Sequence, residues 1–189
     1  MNRSAFSRNG KSGLCSKAAR RAKRAGALAC AALVLAASGA ALARPDDKPT
    51  PSGLPVPRWV SLKFGEVNAR SGPGDDHRLV WVYRARNLPV QVIAETREWR
   101  KICDPEGGTA WVHRRVTSGE RTALRLDRRE LPLRAAPKAD AKVRARLAGM
   151  GVAALDKCER GWCRLSAAKV KGWAPEGELW GTAEKAQCR

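Results

Sequence analysis

The stretch EWRKICDPEGGTAWV, residues 98–112, decides the fold because the chain contains a second version of it, GWCRLSAAKVKGWA, at residues 161–174. The two tryptophans of the first stretch recur 63 and 62 residues later. A third landmark precedes both: Arg70 in NARSGPG (68–74) matches Arg134, 64 residues on, and a proline follows each arginine three residues later. Nearly constant offsets at three landmarks predict a unit of about 60 residues that occurs twice, which is long enough for a small domain.

The local signals inside each unit are those of β-strands. Residues 80–83 (VWVY) and 88–93 (LPVQVI) are short runs of β-branched and aromatic residues, and residues 152–155 (VAAL) repeat the plan in the second unit. Asn87 aligns with Gly149, and both residue types tolerate the left-handed backbone of a tight turn. No stretch after residue 58 sustains a helical period. The prediction is an all-β fold with two small barrels of about five strands each.

Two interpretations compete for the loop that contains Gly72 and Gly74. A phosphate-binding loop needs glycines at fixed spacing between a strand and a helix, whereas β-strand signals follow this loop. The second copy, PLRAAP at residues 132–137, has no glycine. We therefore interpret the loop as a turn in which the glycines serve chain geometry, and we single out Arg70 as its residue of functional interest.

The first 43 residues read as a secretory signal peptide. Residues 1–24 carry eight basic residues and no acid, an apolar run follows at residues 25–37, and Ala41-Leu42-Ala43 forms a cleavage site. We expect cleavage after Ala43 and a periplasmic or secreted protein. The apolar run is shorter than the roughly 20 residues of a spanning helix, so no transmembrane anchor is expected after processing. Removing the signal peptide leaves 29 basic and 18 acidic residues, a net charge of +11.

The rest of the chain divides by composition and by the repeat. Residues 44–57 contain five prolines and predict an extended linker. The two repeats predict a first domain over residues 58–120 and a second over residues 121–181. Residues 182–189 remain as a C-terminal tail.

Four cysteines remain after the signal peptide, and an even number in an oxidising compartment suggests disulfides. With residues 160–161 at a hairpin turn, Cys158 faces Cys163 across paired strands and can bond to it. The leftover pair, Cys103 and Cys188, would join the first domain to the C-terminal tail. No histidine lies near any of these cysteines at a zinc-ligand spacing, so we predict no metal site.

The seven tryptophans separate into repeated and unrepeated positions. The repeated ones are expected in the hydrophobic cores: Trp99, Trp111, Trp162 and Trp173. Unrepeated aromatic residues are better candidates for a ligand surface, because the second unit folds without them, and this group includes Trp59 and Trp180. Trp81 and Tyr83 alternate on one predicted strand near Arg70. These last three residues are the predicted ligand-binding site, since small barrels hold extended peptides in aromatic grooves.

The order of these motifs resembles the bacterial SH3 domain: N-x-R-x-G-P, a hydrophobic hairpin, W-x-x-I/L, and a final W-V or W-A. Two such units after a secretory signal and a Pro-rich segment resemble the exported tandem bacterial-SH3 proteins of proteobacteria. The resemblance covers about residues 58–181 and implies SH3-like barrels. It has two departures, because Ala110 stands where the family has glycine and the second copy lacks the N-x-R-x-G form.

The resemblance also implies a function. Bacterial SH3 domains are usually non-catalytic and often target peptidoglycan or peptides. We therefore expect a cell-envelope binding module without a cofactor, whose partner is peptidoglycan or an envelope protein. The first domain would carry the ligand surface, and the second would be a disulfide-stapled support.

Two other functions stay open on the sequence alone. One is a small exported hydrolase or thiol-redox protein that uses Cys103 and His113, which lie ten residues apart across a predicted hairpin. The other is electrostatic binding to polyanions without a specific pocket. We expect no nucleic-acid partner, because export argues against it and the basic residues are scattered rather than arranged in a stripe.

Overall fold

The computed structural model describes residues 50–183 and 187, and this part of the chain is almost entirely β-strand. The first seven strands are β1 (Arg58–Leu62), β2 (Val67–Arg70), β3 (Leu79–Tyr83), β4 (Pro89–Glu95), β5 (Trp99–Cys103), β6 (Thr109–His113) and β7 (Thr117–Ser118). The next seven are β8 (Thr122–Arg125), β9 (Leu131–Arg134), β10 (Val143–Leu147), β11 (Val152–Glu159), β12 (Trp162–Ala167), β13 (Val170–Pro175) and β14 (Leu179–Trp180). Short 3-10 helices at Arg114–Val116 and Glu176–Glu178 precede β7 and β14. None of the helices among the described residues is long and apolar enough to cross a membrane.

The two halves form antiparallel sheets with the same strand order. The first sheet runs β3-β2-β6-β5-β4-β1-β7, and the second runs β10-β9-β13-β12-β11-β8-β14. We call them the first and second domains. The prediction of an all-β chain with two tandem SH3-like domains is confirmed. The expectation of closed five-stranded barrels is wrong, because each sheet has seven strands and its two outermost strands do not pair with each other.

Of the repeated tryptophans predicted for the cores, Trp99 and Trp173 are buried and Trp111 and Trp162 are half-buried, and none of the four belongs to the two hydrophobic clusters. Successive side chains on a strand point to opposite faces, and Ile102 and Val112 point into the first cluster. Trp99 and Trp111 therefore lie on the outer face of the β5–β6 hairpin, where Trp99 packs edge-on against His113 with ring centroids 5.4 Å apart. In the second domain, the residues that point into the cluster are Cys163, Leu165 and Ala174. Trp162 and Trp173 precede Cys163 and Ala174, so they lie on the opposite face of the β12–β13 hairpin.

Two unrepeated tryptophans do belong to a hydrophobic cluster. Trp59 and Trp180 belong to the first-domain cluster, and their rings meet edge to face with centroids 5.1 Å apart. The indole N–H of Trp180 donates to the carbonyl oxygen of Pro89 at 3.0 Å. Because Trp180 and Leu124 come from the second domain, this cluster is built from both domains.

Hydrogen bonds from side chains to backbone carbonyl groups close the same junction. The hydroxyl of Thr122 donates to the carbonyl oxygen of Asn87 at 2.8 Å, and the indole N–H of Trp59 donates to that of Ala183 at 2.7 Å. Gly181 has a φ of +96°, and a Cβ there would lie 2.8 Å from the Cβ of Pro89 in the first domain. A side chain at position 181 would therefore push the two domains apart.

The turn predicted at Asn87 and Gly149 is real, but its geometry differs between the copies. Asn87 has a φ of +62°, as its residue type favours. In the second domain the left-handed residue is Met150, with a φ of +57°. Gly149 is required for another reason, since a Cβ there would lie 1.8 Å from the carbonyl oxygen of Arg128.

The hairpin of β11 and β12 has the register expected from its sequence. Arg160 and Gly161 both have positive φ and form the turn, so Cys158 faces Cys163 and Glu159 faces Trp162. A disulfide joins Cys158 to Cys163. It fastens the tip of the longest strand of the second domain.

The described part of the Pro-rich linker, residues 50–57, is docked rather than extended. A turn closes between Gly53 N–H and the carbonyl oxygen of Thr50 at 2.9 Å. The backbone N–H of Ser52 donates to a Glu95 carboxylate oxygen at 3.0 Å. The linker reaches β1 along the end of β4.

Candidate ligand-binding site

A groove of about 470 Å³ lies where the two domains meet. The first domain contributes Trp81 and Tyr83 from β3, with Asp104 and Glu106 from the turn between β5 and β6. The second contributes Leu124, Leu126, Met150 and Val152. Concave sites lined mainly by apolar groups with a few polar ones are typical of ligand pockets.

The wall on the first domain is an exposed indole above a buried phenol. Trp81 is 56% exposed, whereas Tyr83 is 6% exposed. The Tyr83 hydroxyl donates to the Asp104 carboxylate at 2.9 Å. Burial and this carboxylate raise the pKa of Tyr83 well above its usual value. Tyr83 is therefore a fixed floor, and Trp81 is the group that a ligand can contact.

The wall on the second domain offers two exposed aliphatic side chains, Leu126 at 47% and Met150 at 52%. Met150 holds this place in a left-handed conformation that residues other than glycine adopt at a cost of about 1 kcal/mol. Methionine is unbranched and polarisable, and it adapts its shape to partners of different outline. The wall can therefore adjust to a ligand that stacks on Trp81.

An acidic rim closes the groove at the turn between β5 and β6. Asp104 organises this turn by accepting hydrogen bonds from the backbone N–H groups of Glu106 at 3.0 Å and Gly108 at 2.8 Å. No lysine or arginine within residues 50–183 forms an ion pair with Asp104 or Glu106. On a chain with a net charge of +19, this rim favours a cationic group.

Arg70 does not share this groove with Trp81 and Tyr83. It lines a separate concavity of about 270 Å³ together with Trp99 and His113. Its guanidinium donates to the carbonyl oxygen of His77 at 2.8 Å, and Arg134 makes the same contact with Ala141 at 2.9 Å. The repeated arginine therefore clamps the loop after β2 in one domain and after β9 in the other.

The structure also separates Cys103 from His113. Cys103 pairs with Thr109 and Trp99 pairs with His113, so they lie at opposite ends of the β5–β6 hairpin, about 13 Å apart along the strand. Cys103 is fully buried and disulfide-bonded. His113 Nδ1 accepts from the backbone N–H of Arg115, and its Nε2 lies 3.4 Å from Glu98. The two side chains do not form a nucleophile and its base.

The predicted partner of Cys103 is Cys188, which lies outside the described residues, so that pairing stays a prediction. The neighbouring Gln187 places the tail nearby, because its backbone N–H donates to the side-chain oxygen of Gln91 at 2.9 Å. Gln91 lies opposite Cys103 in the β4–β5 pair.

One cluster of metal-type ligands occurs within the described residues: Cys158, Cys163 and Glu176. Both sulfurs are consumed by the disulfide. The adjacent concavity, about 610 Å³, is lined mainly by charged side chains of both signs. These features favour a structural role for the hairpin.

Half of the groove was missed by sequence reasoning. Trp81 could be singled out because the second repeat has no aromatic residue at the equivalent position. Leu126 and Met150 are ordinary apolar residues of the second repeat, and nothing in their local sequence distinguishes them. Only the packing of the two domains brings them opposite Trp81. An available signal was the pair Asp104 and Glu106 in a chain where basic residues outnumber acidic ones 37 to 18.

No curated protein sequence matches this chain. Two solved structures are similar over part of their length, NlpC2 and NlpC1 from Trichomonas vaginalis, at 11% and 10% identity and TM-scores of 0.31 and 0.32. The matches cover 66% and 69% of this chain, which spans 48% and 49% of those chains, or about half their length. Likeness at this level carries no argument about activity.

The bacterial SH3 domain matches the chain twice. The model of the bacterial SH3 domain covers residues 63–119 and 128–181, one match in each seven-stranded sheet. The two matches together span more than half of the sequence. The chain belongs to the bacterial SH3 domain family.

Proposed function

We propose that this chain is a non-catalytic binding module of the cell envelope that holds its ligand in the groove between its two domains. The observation that carries the proposal is the exposed Trp81 facing Leu126 and Met150 across an apolar groove. Aromatic side chains in such positions supply much of the binding energy at interfaces. Family membership supports the proposal, since bacterial SH3 domains are often cell-wall binding and typically non-catalytic.

The ligand we propose is peptidoglycan or a peptide segment of an envelope protein. Both carry amide groups with short apolar side chains, and both can present an amine to the rim at Asp104 and Glu106. The groove offers no fixed donor from Tyr83, whose hydroxyl is already bound. Selectivity would therefore come from shape and from the acidic rim.

We further propose that the protein is exported and begins at Arg44 after cleavage. The disulfide between Cys158 and Cys163 supports this, since such bonds persist mainly in oxidising compartments. Cell fractionation with mass measurement of the intact protein tests the proposal. A cytoplasmic protein that retains residues 1–43 would contradict it.

The binding experiment is co-sedimentation of the mature chain, residues 44–189, with purified sacculi at about 0.15 M salt. Trp81→Ala should lower the retained fraction by at least about tenfold, as expected for an aromatic hot spot. Phe64→Ala is the matched control, because Phe64 is similarly exposed at 51% and does not line the groove. A repeat at about 0.5 M salt shortens the screening length to roughly 4 Å and removes weak electrostatic retention.

The outcomes separate the two ligands. Trp81-dependent retention by sacculi supports peptidoglycan. If retention by sacculi does not depend on Trp81, the wild type and the same variants are immobilised and exposed to detergent-solubilised envelope proteins. Retention of an envelope protein that depends on Trp81 then supports the protein ligand. Retention that is equal for Trp81→Ala and wild type in both assays overturns the groove as the binding site.

A further inference from the structure

Strand β3 borders the groove and is the free edge of the first sheet. Within the described residues it pairs only with β2. Its first three residues, Leu79, Val80 and Trp81, are 45%, 37% and 56% exposed. The strand reads LVWVY and carries no charge. An apolar edge of this kind presents unpaired backbone N–H and C=O groups to any extended chain.

The equivalent edge strand of the second domain carries charged side chains. Strand β10 also lies at the end of its sheet, but it reads VRARL. Val80 and Arg144 occupy equivalent places beside Trp81 and Ala145, and Val82 corresponds to Arg146. Charged side chains on an edge strand prevent another chain from pairing with it. The same fold therefore blocks this edge in the second domain and leaves it open in the first.

The open edge and the groove share their side chains. Trp81 and Tyr83 are alternate residues of β3, so they lie on one face of the sheet, and that face lines the groove. A chain paired along β3 would place every second side chain on the same face. Those side chains would lie between Trp81 and the wall formed by Leu126 and Met150.

The chemistry of the bound segment follows from the groove. Its apolar walls fit an aliphatic side chain, and the rim at Asp104 and Glu106 fits a cation at a neighbouring position on the same face. A regular strand pairing also needs consecutive L-residues, because their backbone groups must match the spacing of β3. These requirements describe a segment of a protein.

We propose that the edge of β3 binds an extended protein segment by strand addition, with an aliphatic and a basic side chain, two residues apart, in the interdomain groove. This rests on the proposed function and specifies the partner of the same site. Main-chain hydrogen bonds would supply affinity, and the groove would supply selectivity.

The probe is a labelled peptide, Thr-Leu-Thr-Leu-Thr-Lys-Thr, with its reversed sequence to cover both strand directions. Fluorescence anisotropy with the mature chain should give saturable binding that Lys→Glu in the peptide weakens at least about tenfold. Two N-methylated versions carry methyl groups on alternate amides. In an added strand only one alternate set faces β3, so one version should lose binding and the other should keep it.

Matched protein variants exchange the two edges. Val80→Arg with Val82→Arg gives β3 the arginines of β10 and should weaken the peptide at least about tenfold. Peptide binding should also slow hydrogen exchange of β3 amides. Arg144→Val with Arg146→Val opens the β10 edge without touching the groove, so the protection that the peptide gives to the β3 amides should be unchanged.

The results separate this proposal from the function on which it rests. Equal binding of both N-methylated peptides, or of the Val80→Arg/Val82→Arg variant, overturns strand addition. If neither the peptide nor its reversed sequence binds, while retention by sacculi depends on Trp81, strand addition is also overturned and the proposed binding module stays in place. Absence of any Trp81-dependent binding overturns the proposed function itself.

Discussion

Glu95 keeps a negative charge where only 2% of its side chain reaches solvent. Arg58 donates to one carboxylate oxygen, the backbone N–H of Ser52 donates to the other, and Arg100 lies 3.7 Å away. Burial alone would raise the pKa of Glu95, but the hydrogen bonds from Arg58 and Ser52 lower it to about 2. This carboxylate therefore ties the linker to β1 and β4.

Lowering the pH should remove the contribution of Glu95 to stability. Because its pKa is lower in the folded state than in the unfolded state, its contribution is complete above about pH 4.5 and is lost as the pH falls towards 2. The loss should be about 3 kcal/mol. Urea unfolding of wild type and Glu95→Gln between pH 6 and pH 2 measures it.

Glu95→Gln should already be destabilised by about 3 kcal/mol at pH 6, because Arg58 is left without its counter-charge. Its stability should then vary less with pH than that of wild type. Asp127→Asn is the comparison at a partly exposed site: Arg129 lowers the pKa of Asp127 to about 2, but solvent screens this pair, so its loss should cost little stability. Parallel pH curves for wild type and Glu95→Gln would contradict the role assigned to Glu95.

Met150 allows binding to be separated from stability. Glycine adopts a φ of +57° without the Cβ penalty, and Met150 is 52% exposed. Met150→Gly should therefore keep or raise the free energy of unfolding by up to about 1 kcal/mol, while ligand retention falls. Ala168→Gly, at a φ of +47° outside the groove, is the control that should leave retention unchanged. Unchanged retention in Met150→Gly would remove Met150 from the site.

The sequence singled out individual residues of interest more readily than it indicated what those residues do. Arg70 was found because an arginine recurs in both units, but the recurrence reflects a loop clamp that both domains need. Trp81 was singled out because it does not recur, and the same criterion also pointed to Trp59 and Trp180, which belong to the first-domain cluster. Repetition indicates what a fold requires in each copy, and it carries no information about contacts made between copies.

At the scale of the element, the β11–β12 hairpin was predictable because its determinants are local. The Arg160-Gly161 turn fixes the register, and the register brings Cys158 and Cys163 together. The short strands β7 and β14 were not predictable in the same way. Each has two residues and is defined by its pairing with β1 or β8 rather than by its own pattern.

The hairpin disulfide should stabilise the second domain by roughly 2 kcal/mol in the loop-entropy model. Cys158→Ala with Cys163→Ala tests this by urea unfolding, and hydrogen exchange should accelerate in β11 and β12. The β4–β5 hairpin provides the internal comparison, because it occupies the same place in the first domain and its exchange should not change. Equal acceleration in both hairpins would show that the bond supports the whole chain instead.

At the scale of the whole molecule, the groove depends on contacts that neither repeat contains alone. Trp81 and Met150 belong to different domains, and the two domains pack together through a cluster that includes Trp180 and Leu124. The sequence predicted two domains from their repetition. It could not predict their packing, because repetition carries no information about contacts made between the copies.

Trp180→Ala should disrupt this packing and the groove together. The residue is 7% exposed, contacts Trp59 and donates to the Pro89 carbonyl oxygen, so its removal should cost about 3–5 kcal/mol. When thermal unfolding of this variant is measured by calorimetry, it should separate into two transitions. Ligand retention should also fall, although Trp180 does not line the groove. Trp180→Phe keeps a ring and loses one hydrogen bond, so it should cost less and keep one transition. Unaltered retention in Trp180→Ala would mean that the first domain binds its ligand alone, which would confine the site to β3 and the β5–β6 turn.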